Sequence, residues 1–180
     1  MKQVEQEMSD NADADRGTDA TCGGGSSPGG GEAAELLSFR AGGQEYAIDI
    51  MSVREIRGWT SATPLPHAPP AVRGVINLRG RVLAILDLSD RLGLGRTGTA
   101  ERNVVIVVGT GSEGTEHHAG LLVEAVSDIL TVPCSALQPP PEAIGDGTRG
   151  LVSALVMVDG VMVRILDIDA VLPGGESDAA

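Results

Sequence analysis

The sequence predicts an all-β protein built as two packed five-stranded barrels, and three observations lead there. Short apolar runs are punctuated by two-residue turn signals, and no segment keeps a 3.6-residue apolar period over about twelve residues. One unit of about 70 residues also occurs twice. A lone antiparallel sheet of that size has exposed edges, which closure into a small barrel removes.

In chain order, residues 1–34 come first. They are rich in Gly and Ser, end in GGGSSPGGGEAA, and set seven acidic residues against Lys2 and Arg16. Such a stretch buries too little apolar surface to offset its ordering entropy and is expected to be disordered. Residues 174–180, GGESDAA, are expected to behave likewise. Between these tails four hairpins are predicted. Leu36–Ala41 turns through Gly42-Gly43 into Gln44–Ile50, and Gly74–Leu78 turns through Arg79-Gly80 into Arg81–Leu88. Asn103–Val108 and His118–Val123 flank a Gly/Glu-rich loop, and Gly150–Val158 turns through Asp159-Gly160 into Val161–Ile168. Tight two-residue turns require positive φ, which Gly, Asn and Asp tolerate best. One helical turn is expected at Ser89–Leu94 with Ser89 as its cap, and another at Asp169–Leu172, stopped by Pro173.

The repeat is visible directly. Ala47–Ile56 (AIDIMSVREI) aligns without gaps on Gly120–Ile129 (GLLVEAVSDI) at an offset of 73. Each copy then enters a Pro-rich connection, PLPHAPP or PCSALQPPPE, followed by Arg-Gly (Arg73-Gly74, Arg149-Gly150), a strand, a Gly-ended turn and a last strand. Those last strands, VLAILDL from Val82 and MVRILDI from Met162, align at an offset of 80. The barrel units are therefore expected at about 35–95 and about 102–173, with Ile85 and Ile165 as equivalent core residues.

Composition narrows the function. A net charge of −12 argues against nucleic acid and anionic membrane surfaces, which call for basic patches. Phe39, Tyr46 and Trp59 are the only aromatic residues, so the core is aliphatic and stacking platforms for bases are scarce. Cys22 and Cys134 form neither a CxxC nor a metal-ligand pattern, and no structural disulfide is expected between them. The acidic N-terminus does not read as a signal peptide, and Leu151–Val158, the longest apolar run, falls far short of the ~20 residues that span a bilayer. A cytoplasmic protein without direct membrane insertion is expected.

No catalytic constellation emerges, and no cofactor is expected. Glu113, Glu116, His117 and His118 are the one cluster of ligand types, but they sit in a Gly/Ser/Thr loop, which reads as solvated. His67, between prolines, reads as a surface residue. GTGSEG lacks the Lys-Ser/Thr ending and the following helix of a phosphate loop. Asp87 and Asp90 follow a strand, where solvent exposure is the ordinary reading. The segment that stands out is Gly74–Val82, GVINLRGRV, which puts Arg79 beside Gly80 at the tip of a rigid hairpin. Val53, Glu55 and Ile56 form a second place of interest, where a strand leaves its sheet. For Arg79 the bland alternative is a polar hairpin tip, and for Val53 and Ile56 it is simple core packing.

At these residues the chain resembles the CheW family. VREIRGW (Val53–Trp59), PLPHAPP, VRGVINLRG (Val72–Gly80) and ILDL (Ile85–Leu88) resemble that family's central motifs in order and spacing, and GLLVEAVSDIL (Gly120–Leu130) resembles its second half. The resemblance covers about Leu36–Leu172 and implies one CheW-like domain over 35–173, made of two intertwined SH3-like barrels. It also implies a non-enzymatic chemotaxis adaptor. Its partners would be the regulatory domain of a CheA-type histidine kinase and the cytoplasmic hairpin tip of a methyl-accepting chemoreceptor, in membrane-associated arrays. The partner-binding residues it implies are Val53, Glu55, Ile56, Val75, Leu78, Arg79 and Gly80. Arg79 would act on a partner or internally with Glu55. The alternatives are a CheW-like scaffold for a kinase pathway other than chemotaxis, and a metal-dependent β-barrel enzyme using Glu116, His117 and His118.

Overall fold

The computed structural model describes residues 33–111, 116–142, 148 and 150–172. The predicted tails lie outside them, except that Ala33 and Ala34 already belong to the first strand. Ten strands follow: β1 (Ala33–Ala41), β2 (Gln44–Asp49), β3 (Val53–Gly58), β4 (Val72–Leu78), β5 (Arg81–Asp87), β6 (Val104–Thr110), β7 (His117–Val123), β8 (Ala125–Pro133), β9 (Val152–Val158) and β10 (Val161–Leu166). Among the described residues, the short helices α1 (Leu88–Arg91) and α2 (Ile168–Val171) follow β5 and β10. Their caps are the aspartates that end those strands. Asp87 accepts from the Asp90 N–H, and Asp167 from the Asp169 and Ala170 N–H groups, so Ser89 lies inside α1 and does not cap it.

The strands form two five-stranded sheets, in the orders β8-β1-β2-β10-β9 and β3-β6-β7-β5-β4. The boundaries expected at about 35–95 and about 102–173 do not coincide with them. Each sheet takes strands from both halves, because the chain changes sheet between β2 and β3 and again between β7 and β8. The physical cause is the short β2–β3 and β7–β8 connections. Ile50–Ser52 is a single 3-10 turn, and Glu124 alone separates β7 from β8, so neither connection folds back as a hairpin.

The repeat is a structural correspondence throughout. Replacing each strand by its counterpart turns one sheet order into the other. The parallel pair β2·β10 matches Tyr46 with Arg164 and Ala47 with Ile165; the parallel pair β5·β7 matches Ala84 with Ala119 and Ile85 with Gly120. Beyond β3, Thr63 bridges to Val75 of β4, and beyond β8, Gln138 bridges to Leu155 of β9, bringing the two edges of each sheet together into a barrel. Since Val75 and Leu155 take equivalent bridges, Arg73-Gly74 corresponds to Ser153-Ala154 and not to Arg149-Gly150; Arg149 lies outside the described residues.

Three cores follow from the pleat. Along β6, Val105 and Val107 point into one barrel, while Ile106 and Val108 point into the layer between barrels. Leu37, Phe39, Tyr46, Ile48, Leu86 and Leu121 fill that shared layer. Ile85 sits in one barrel's own core and Ile165 in the other's, as expected. Strands buried on both faces read as unbroken apolar runs, which explains VVIVV in β6. Cys134, in the 3-10 turn Cys134–Ala136, is disulfide-bonded, against expectation. Cys22, the chain's other cysteine, lies outside the described residues.

Candidate functional site

The β4–β5 hairpin closes through Arg79 and Gly80, with φ of 52° and 82°, between the paired residues Leu78 and Arg81. Positive φ at both turn residues matches the right-handed twist of the flanking strands. Asn77 Oδ1 accepts from the Gly80 N–H at 2.9 Å, which braces the turn from within. The Arg79 side chain, 77% exposed, reaches back to the other edge of its sheet. Its Nη1 lies 3.1 Å from Glu55 Oε2, and its Nη2 donates to Glu55 Oε1 at 3.3 Å. Arg57 Nη1 stands 3.9 Å from Glu55 Oε1. Glu55, on edge strand β3, is therefore held between two guanidinium groups, and the β4–β5 tip is tied to β3 across the seam of the barrel.

The remaining candidates divide between surfaces and cores. Ile56, the next residue on β3, points to the opposite face of the strand from Glu55 and is 47% exposed. Val53 is half-buried against the layer shared by the barrels, and Leu78 is half-buried against the core of its own barrel. Val75 spends its main-chain N–H and C=O on Thr63, at 2.8 Å each, so its backbone serves barrel closure. The structure thus brings Glu55 and Arg79 into contact, with Gly80 shaping the turn. Val53 and Leu78 pack into different clusters.

Two bulges re-aim arginines that the sequence did not single out. The β3 register shifts between Val53 and Glu55, and the extra residue, Arg54, donates to the Met51 carbonyl at 2.9 Å and to Glu116 Oε1 at 3.2 Å. His118 Nε2 lies 3.2 Å from the other oxygen of Glu116. Glu116 is thus engaged by Arg54 and His118, Glu113 lies outside the described residues, and no metal-holding group of three His, Cys, Asp or Glu occurs among the described residues. The β4 register shifts between Val72 and Gly74, and the extra residue, Arg73, donates to Asp87 Oδ2 at 2.9 Å and to the Thr97 carbonyl.

Asp87 is fully buried, which corrects its expected solvent exposure. Besides Arg73 it accepts from the Thr97 N–H at 2.9 Å, the Thr97 hydroxyl at 2.7 Å and the Asp90 N–H at 3.3 Å. A buried carboxylate persists only when so many donors replace water. Nothing in the local sequence announces this network, because its donors come from a bulge and from a loop ten residues on. A link between barrels also went unread: Arg91 of α1 donates to the Val171 and Ala170 carbonyls of α2, at 3.1 Å each. A guanidinium there satisfies carbonyls that a helix C-terminus leaves free.

Comparisons with known proteins agree with this fold. Residues 35–176 match the family model described as a CheW-like domain. The chain is 48% identical over 146 residues to the chemotaxis protein CheW of Rhizobium meliloti (strain 1021), covering 81% of this chain and 92% of that protein. It is 30% identical over 146 residues to the chemotaxis protein CheW of Bacillus subtilis (strain 168), covering 81% and 91%. Among solved structures it resembles the scaffolding protein TtCheW from Thermoanaerobacter tengcongensis, with a TM-score of 0.70 at 27% identity, covering 81% and 97% of the two chains.

Proposed function

The chain belongs to the CheW family of chemotaxis proteins, and from that premise we propose that it couples chemoreceptor cytoplasmic tips to a CheA-type histidine kinase. The role is that of an adaptor, exercised by binding and without catalysis. The observation that carries the residue assignment is the Arg79–Glu55 pair across the barrel seam, with exposed Ile56 on the opposite face of the same edge strand. A charged fork and an aliphatic side chain, held on two edges of one barrel, suit a helical hairpin whose seam is apolar and whose flanks are polar. Aliphatic residues supply buried area, while Arg79 and Glu55 set orientation at the rim. No specific observation favours a metal-dependent enzyme, since Glu116 is engaged by Arg54 and His118.

The test is titration of the full chain and of Arg79→Ala against a receptor cytoplasmic fragment and against the kinase regulatory domain, with melting curves alongside. An exposed ion pair is worth about 0–1 kcal/mol to stability, so the variant is expected to fold with a nearly unchanged midpoint. Binding to one partner is expected to weaken by about 1–3 kcal/mol, because that partner desolvates the pair. Arg79→Lys is expected to restore only part of it, since an ammonium cannot replace a planar fork. Wild-type affinity for both partners in the folded Arg79→Ala protein would remove Arg79 and Glu55 from the interface. Failure of the unmodified chain to bind either partner would remove the coupling role itself.

A further inference from the structure

The two halves correspond strand by strand, so each residue can be compared with its counterpart, and at one place the comparison exposes a difference in filling. In one sheet, Tyr46 on β2 stands opposite Arg164 on β10, whose guanidinium carbon lies 5.7 Å from the ring centroid. The Tyr46 hydroxyl donates to Gln44 Oε1 at 3.2 Å. Leu94, from the segment after α1, seats on the β1–β2 turn so closely that a Cβ at Gly42 would lie 2.6 Å from its Cδ1. Ring, guanidinium and isobutyl group together close this side of the shared layer.

The other sheet has the same strand order and smaller side chains at the matching positions. The counterparts of Tyr46 and Arg164 are Ala119 and Ala84, paired in the same parallel register. The counterpart of Gln44 is His117, and the counterpart of Gly42 is Gly111. Where these small residues meet, the structure contains a pocket of about 270 Å³. Ala84, Leu86, Ala119, Val72 and Leu172 are its apolar lining, and its polar lining includes His117, His118, Thr110 and Asp169.

We propose that this pocket is a binding site for a small phenol, a single aromatic ring bearing a hydroxyl group. The ring takes the space over Ala84 and Ala119 that Tyr46 fills in the other sheet, and the hydroxyl donates to an imidazole nitrogen of His117, as Tyr46 donates to Gln44. The size agrees, because pockets enclosing drug-sized ligands occupy about 300–1,000 Å³, and one ring needs less. The protonation state agrees too. Burial pushes the Tyr46 hydroxyl above the usual phenol range, so a phenol in equivalent surroundings stays neutral and keeps its donor. Apolar pockets of this kind bind simple aromatic molecules. The assignment is independent of the coupling role.

The experiment is a titration of the full chain with p-cresol, the free form of a tyrosine side chain, read on the methyl NMR signals of Ala84, Ala119 and Leu172. Saturable shifts at these methyls are expected. Ala119→Met and Ala84→Leu, two independent fillings of the pocket, are each expected to lose at least about tenfold in affinity while melting no lower than the unmodified chain. Whichever of the two folds serves as the control. His117→Leu is expected to lose about fivefold of the preference for p-cresol over toluene, the value of one hydrogen bond. N-acetyltyrosinamide, the same ring on a peptide backbone, is expected to bind more weakly than p-cresol. Absence of saturable shifts, undiminished binding in a folded filled variant, or toluene binding as well as p-cresol would overturn the assignment. Tighter binding of N-acetyltyrosinamide would replace the free ligand by a partner's tyrosine and overturn it equally.

Discussion

Ile85 and Ile165 occupy equivalent places in the two barrel cores, but their surroundings differ. Ile85 stands opposite Gly120, where an added Cβ would lie 2.6 Å from the Ile85 Cδ1, so the side chain fills space that glycine leaves. Ile165 stands opposite Ala47, which already supplies a methyl group. Truncation of either to Ala is expected to cost about 2–5 kcal/mol, with Ile85→Ala the costlier because its cavity is larger and a glycine neighbour cannot fill it. Urea unfolding of both variants checks the magnitude and the order. At this scale the sequence was informative wherever a residue's role depends on its own strand. Arg79 and Glu55 were named from their motifs and meet as an ion pair. Asp87 was misread, because its burial depends on Arg73 leaving the pleat and on Thr97 returning from a loop.

Among the elements, β4 carries the most constraint, since it forms the hairpin with β5, holds the bulge at Arg73 and accepts the bridge from Thr63 that closes the barrel. Gly74 makes the closure possible. Its φ of 145° lies in the region that side-chain-bearing residues rarely adopt, and an added Cβ would collide with the Thr63 carbonyl. Gly74→Ala is therefore expected to destabilise the fold by at least about 1–3 kcal/mol, the range for backbone strain. It is also expected to speed hydrogen exchange at the Val75 amide, which donates to Thr63 at 2.8 Å. Unchanged protection at Val75 would mean that barrel closure does not depend on the close approach. All four predicted hairpins are present, because turn chemistry and strand pattern act within about fifteen residues. The two strands not named among them, β3 and β8, are edge strands that pair with β6 and β1, far from themselves in sequence.

For the molecule as a whole, the exchange of strands between sheets has a direct consequence. A chain cut between Gly95 and Arg102 leaves one piece with β1 to β5 and another with β6 to β10, and neither contains a complete sheet. Each piece alone is expected to lack cooperative unfolding and to show poorly dispersed amide signals, while the two mixed recover a folded complex. A cooperative transition in either piece alone would show that the halves fold independently. The sequence by itself determined the all-β class, the hairpins, the repeat and the equivalence of Ile85 with Ile165, because alternation, turn residues and internal similarity are local or self-referential signals. Only the tertiary structure decided which strands share a sheet, how Arg73 and Asp87 satisfy each other in the interior, and that Ala84 and Ala119 line a pocket at the positions that match Arg164 and Tyr46. Those outcomes depend on contacts between residues distant in the chain, whose meeting is set by how three cores pack at once, and no local pattern records that packing.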